Sequence, residues 1–224
     1  MPDTVLQRVR EVDGPEPVLS RERQARLTQR QRELLDQLSN TFRQGFNHLT
    51  MADLATKLGC SLRTLYALAP SRDELVLVVV DRNLWQIGRT ATAAVTAEMA
   101  PLDAIRAYLA AANVAVADTT EAFARDCESL PRTRELSEHH SNYLIAVTQR
   151  LLDLAVERDE IGQINTAAVA RVIAGVGRDF SRPDVLPTIG TSPKEAADDV
   201  TDIILAGLCH SAPTAARPKE PSWG

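Results

Sequence analysis

Six consecutive residues, Ser61-Leu62-Arg63-Thr64-Leu65-Tyr66, bring three hydroxyls and a guanidinium together within two helical turns. That set suits recognition better than covalent chemistry. The fork of Arg63 matches guanine O6/N7 or a phosphate, and Thr64 matches a base edge or a phosphate. Tyr66 offers an apolar body for packing and a hydroxyl for a phosphate. Thr50 and Arg72 stand where flanking helices begin, and free backbone N–H groups there also favour phosphate. Catalytic patterns are missing from the sequence. It has no GxSxG, no HExxH, no phosphate-binding glycine loop and no distinctive Ser/His/Asp spacing. Glu138-His139-His140 is a poor metal site, because neighbouring histidines on a helix diverge by about 100°. Cys127 lies between Asp126 and Glu128, a setting that disfavours the thiolate. The other cysteines, Cys60 and Cys209, are far away and none forms CxxC, which fits a reducing cytosol. The expectation is a cytoplasmic non-enzyme without metal or cofactor.

The elements that must hold these residues can be read from periodicity and caps. A helix is expected from about 27 to 44, with Leu34, Leu35, Leu38 and Phe42 on one face and Gly45 as a left-handed stop. Thr50 is a good N-cap. Met51, Leu54, Ala55 and Leu58 follow at helical spacing, and Asp53 sits where a capping box needs an acceptor. Gly59 and Cys60 break that helix. Ser61 opens a short one that Pro70 ends, and Ser71 caps a fourth that starts Arg72-Asp73-Glu74 and runs to about 89. Helix, tight turn, short helix is the helix-turn-helix pattern, in which the second helix offers its N-terminal residues to a major groove.

The same stretch resembles the tetracycline-repressor (TetR) family. The matching residues are Phe42-Arg-Gln-Gly45-Phe46, Thr50-Met-Ala-Asp-Leu54-Ala55, Leu58-Gly59-Cys60-Ser61, Thr64-Leu65-Tyr66 and Pro70-Ser71-Arg72-Asp73-Glu74-Leu75. They span about 50 residues in order, roughly a quarter of the chain. The resemblance implies nine or so helices, a homodimer built mainly by the last two, a ligand pocket in the body, and repression relieved by a small molecule. It carries DNA contact onto Thr50, Ser61, Leu62, Arg63, Thr64, Tyr66 and Arg72. One departure stands out. Where the family has an aromatic or histidine pair ending in phenylalanine, this chain has Ala67-Leu68-Ala69. Leu68 replaces a phosphate donor. Ala69 removes a large core side chain, a loss of about 3–5 kcal/mol unless a neighbour such as Trp85 or Val79 fills the space.

Charge is distributed as this reading needs. The chain carries −5 overall, yet residues 21–72 hold nine Lys/Arg against four Asp/Glu, and residues 73–224 hold 14 against 22. A basic head on an acidic body points one end at phosphate. Aromatics are only 4 %, and Ala and Leu abound without period-two runs, so the fold class expected is all-α. The domain plan is a flexible arm over 1–20, a three-helix helix-turn-helix domain over 21–72, a helical ligand-sensing and dimerisation domain over 73–210, and a disordered tail over 211–224. No apolar stretch is long enough for a membrane span, and no signal peptide is visible.

The body speaks less clearly. Helices near 166–180 and 194–210 carry apolar stripes broken by Ala170, Ala174, Gly177, Ala206 and Gly207, and small residues permit close approach in a homodimer interface. Such a dimer reads a palindromic operator. Trp85, Tyr108, Asn113, Phe123 and Tyr143 are the candidates to line a pocket for an unknown small-molecule effector, each also explicable as plain core. Two other readings compete: a helical interaction module that has lost DNA binding, and an all-α enzyme.

Overall fold

The computed structural model describes residues 4–117 and 119–209. Eleven α-helices and two short 3₁₀ turns make up its regular structure, with no strand among the described residues. The head is built by α3 (Gln29–Phe42), α4 (Met51–Lys57) and α5 (Leu62–Leu68). Its caps form as the sequence requires. Thr50 accepts from Asp53 N while the Asp53 carboxylate accepts from Thr50 N, and Ser61 accepts from Thr64 N. Gly45 and Gly59 take φ +88° and +59°, the left-handed conformation that side chains resist, and so end α3 and α4 sharply. Leu34, Leu35, Leu38, Phe42, Phe46, Leu54 and Leu65 close the core between the helices.

The long α6 (Arg72–Ala93) joins head to body. Its first half, Leu75 to Val80, is buried in the head core, whereas Ala91 belongs to the body core. The body comprises α7 (Pro101–Ala112), a 3₁₀ turn (Asn113–Val116), α8 (Glu121–Ser129), α9 (Pro131–Glu157), α10 (Thr166–Phe180) and α11 (Pro193–Cys209). Ile105, Tyr108, Leu109, Val147, Leu151, Leu152, Ile173 and Leu205 form its centre. Helix α9 starts at Pro131, which suits a first turn, and Thr133 bonds back to Cys127 O and Leu130 O. It ends at Glu157, ahead of Asp159 at φ +56°. No helix among the described residues is long and apolar enough to cross a membrane.

The flexible arm expected over 1–20 is corrected by the structure. Residues 5–10 form α1 (Val5–Arg10), with a capping box between Thr4 and Gln7, and α2 (Arg21–Ala25) follows. Val5 and Val9 are buried in the body core against α9, and Leu19 is buried in the head core. Prolines and a glycine interrupt the periodicity of this N-terminal strap, but its few apolar side chains each find a pocket on the helices behind. The tail over 211–224 lies outside the described residues.

Candidate nucleic-acid interface

Helix α5 sits on α4 with Leu65 and Leu68 inward, both essentially inaccessible. Its outer face presents Leu62 at 43 % and Tyr66 at 51 % exposure, with Arg63 exposed between them. Among the described residues neither Arg63 nor Tyr66 makes a hydrogen bond or ion pair, so their polar groups are available to a partner. Ser61 Oγ and Thr64 Oγ1 lie 2.9 Å apart, one hydroxyl donating to the other at the start of the helix. Thr50 opens α4 beside them. Its hydroxyl bonds to Asp53 Oδ2 at 2.6 Å, and its hydroxyl and backbone N–H together hold the Asp53 carboxyl below its usual range. Five of the seven expected contact residues therefore share one short helix and its cap, with Thr50 at the neighbouring helix start.

Arg72 is placed differently from the role expected of it. Its Nε donates to Leu49 O at 2.8 Å and its Nη2 to Phe46 O at 2.6 Å, with Asp73 on Nη1. The guanidinium also stacks 5.8 Å from the Phe46 ring. Those donors are spent on closing the turn between α3 and α4. The same turn is held from the other side by α8. Asp126 accepts from Phe46 N and from Asn47 N (2.8 Å), Asn47 Nδ2 donates to Ser129 Oγ, and Thr120 Oγ1 donates to Arg43 O. Gly45 permits this approach, since a Cβ there would meet Asp126 Oδ2 at 3.0 Å and Ala122 Cβ at 3.2 Å.

The Ala67-Leu68-Ala69 departure is also explained. Leu68 and Ala69 are buried in the head core, where Val79 and the strap's Leu19 share the cluster. Trp85 does not fill that space. It packs edge-on against His140, at 5.8 Å between ring centroids, and against Gly14. A contact that sequence reasoning missed completes the helix end: Arg23 Nη2 donates to Leu68 O at 3.0 Å and Ala67 O at 3.3 Å. The only sequence signal for it was an arginine in a stretch without strong periodicity.

The five candidate pocket residues do not line one chamber. Phe123 packs edge-on to Phe46 at 6.1 Å, in the head–body junction. Asn113 donates to Asp198 Oδ1 at 2.8 Å, and its Oδ1 faces the space where a Gly177 side chain would be. Tyr108 is fully buried, and burial beside Tyr143 pushes its phenol well above the usual range. Tyr143 reaches an open cleft of about 610 Å³ between residues 12–16 and His139, Asn142 and Ala146 of α9. Trp85 borders a smaller cleft of about 150 Å³ beside Leu19, Arg32 and Arg82. His139 and His140 diverge: the first lines the open cleft and the second lies 3.2 Å from Asp81 Oδ1.

No family model and no curated protein matches the chain. Solved structures do. The TetR-family regulator PfmR from Thermus thermophilus is 22 % identical, with TM-score 0.56, covering 78 % of this chain and 98 % of that one. A tetR-family regulatory protein from Rhodococcus is 18 % identical, with TM-score 0.61, covering 85 % and 100 %. The ketosteroid transcriptional regulator KstR2 of Mycobacterium tuberculosis is 19 % identical, with TM-score 0.54, covering 82 % and 96 %. At these identities the likeness is one of fold: the chain has the all-α fold of TetR-family transcriptional regulators.

Proposed function

We propose that the chain is a TetR-family transcription regulator that binds a palindromic operator as a homodimer and leaves it when a small molecule binds the body. The observation that carries this reading is the outer face of α5. Leu62, Arg63 and Tyr66 stand exposed on a helix whose other side is fully packed, and Arg63 and Tyr66 have no polar partner among the described residues. A rigid scaffold holding unpaired donors at a helix-turn-helix is built for a groove. Ser61, Thr64 and Thr50 add hydroxyls and helix N-termini for base edges and phosphates. Arg72 keeps its place in the set as the residue that fixes the α3–α4 turn behind them.

The pairing surface is the outer face of α10 and α11. Val172 is 54 % and Ile203 72 % exposed, and Ala206 and Gly207 beside them let another helix come close. Two copies paired there carry recognition helices about 34–36 Å apart, one DNA turn. Such a regulator works in the cytoplasm. Several neighbours in fold carry the name transcriptional regulator, one of them for ketosteroids. That supports a regulatory role and an apolar effector with a few polar handles.

Selection from a pool of random duplexes, followed by a salt titration, tests the reading. A palindrome bound tightly, with affinity falling steeply as salt rises, is the expected result. A folded dimer that binds every duplex equally weakly would overturn it in favour of an interaction module.

A further inference from the structure

The strap and α2 run from the far end of the body to the recognition helix, and each stage of that path is pinned. Val5 and Val9 sit in the body core, and Arg8 pairs with Glu157 near the end of α9. Gly14 lies under Trp85 so closely that a Cβ would stand 2.8 Å from the ring's Cη2. Val18 N donates to Asp81 Oδ2 at 2.9 Å, while Oδ1 of the same buried carboxylate faces His140 Nε2. Leu19 then enters the head core, and Gln24 Nε2 donates to Leu19 O at 2.8 Å. The path ends where Arg23 caps α5.

That cap meets a local need. Helix α5 has no basic residue in its last turn, and the chain turns to extended backbone at Ala69 before Pro70. The final carbonyls of a helix lack intrahelical donors. Arg23 supplies N–H bonds to two of them and a positive charge at the negative end of the helix.

We propose that residues 4–26 form an intramolecular tether through which the body positions the recognition helix, with Asp81 as its mid-point anchor and Arg23 as the positioning residue at its end. The proposal rests on the DNA-reading role given to α5 above. Beside α6, which enters the head core directly, and α8, which holds the turn after α3, it gives the body a further connection to the head, at the C-terminal end of α5. A shift of α9 against α6 pulls on Asp81 and on the strap together, because His140 comes from α9 and Trp85 from α6.

Two full-length variants separate a tether from a simple contact. Gly14→Val wedges the strap off Trp85 without touching the head, and Arg23→Ala removes the far attachment. Each is expected to lower affinity for the selected operator about tenfold and to speed amide exchange over residues 65–69. Exchange of the body core at 151–155 should stay at the wild-type rate, which checks that the fold is intact. The double variant is expected to be no weaker than the weaker single one, since both break one path. Arg23→Lys should restore part of the protection. Gly14→Val with wild-type affinity and exchange would overturn the tether. So would an Arg23→Ala variant that loses affinity with unchanged exchange, because Arg23 would then be a phosphate contact. If the wild-type protein selects no duplex, the DNA reading fails, and the exchange comparison still decides the tether on its own.

Discussion

Arg63 and Arg72 are nine residues apart and chemically identical, yet the fold gives them opposite work. Arg63 faces solvent, and Arg72 spends its donors on Phe46 O, Leu49 O and Asp73. Arg63→Ala is therefore expected to leave unfolding unchanged and to weaken operator binding by about 1–3 kcal/mol if it meets a base. Arg72→Ala should cost about 2 kcal/mol of stability, since it strands Leu49 O, takes from Phe46 O one of its two donors and removes a ring contact. Urea unfolding beside binding isotherms separates the two. Equal stability loss in both variants would show that Arg63 also belongs to the scaffold. Tyr66→Phe extends the comparison, with binding weakened and the dimer kept. Among the thiols, Cys127 is pushed up to about 12 by burial and by its neighbours Asp126 and Glu128. At pH 8 its thiolate fraction is then only ~10⁻⁴. Alkylation followed by mass spectrometry should find Cys127 unmodified in the native protein and modified in denaturant. Rapid native labelling would mean that α8 opens.

Helix α8 shows what an element contributes beyond its own core. Its Asp126, Ser129 and preceding Thr120 hold the turn after α3 by side-chain bonds to backbone and Asn47. Asp126→Ala removes the acceptor for two backbone N–H groups and should cost about 1.5–3 kcal/mol, with faster exchange at Phe46 and Asn47. Unchanged exchange there would show that Arg72 holds the turn alone. This element also marks how far the sequence could be read. The head helices were legible because period 3.6, Thr50, Ser61, Ser71, Gly45 and Gly59 all act locally. The grip of α8 on residues 43–47 was not legible, because the bonds join positions about 80 apart. The strap was missed for a related reason. Val5, Val9 and Leu19 carry no sustained period around Pro15 and Pro17, and only tertiary fit buries them. Of the proposed site, the α5 residues are named by type and spacing, and the structure places Leu62, Arg63 and Tyr66 on that helix's exposed face. The turn of Arg72 onto Phe46 O and Leu49 O was not legible, because an arginine at a helix start satisfies phosphate and backbone carbonyls equally well.

At the scale of the whole molecule, charge and shape have to agree. Residues 21–72 carry nine bases against four acids, while residues 73–224 are acidic on balance, so one end attracts a polyanion and the other does not. One such head offers a single short helix to a groove, and two heads held a turn apart bind with far higher effective concentration. The two-fold spacing of the heads thus depends on the outer face of α10 and α11. Ile203 is 72 % exposed and Val172 54 %, so in a lone protomer neither has core packing to lose. Ile203→Asp should then leave protomer unfolding within about 0.5 kcal/mol of wild type when measured well below any dimer constant. In a dimer the same change buries a carboxylate at the seam, which costs several kcal/mol without a partner. Sedimentation should show monomers, and operator affinity should collapse while the weak, salt-dependent attraction of a single basic head to any duplex survives. A variant that stays dimeric with full operator affinity would place the pairing surface elsewhere.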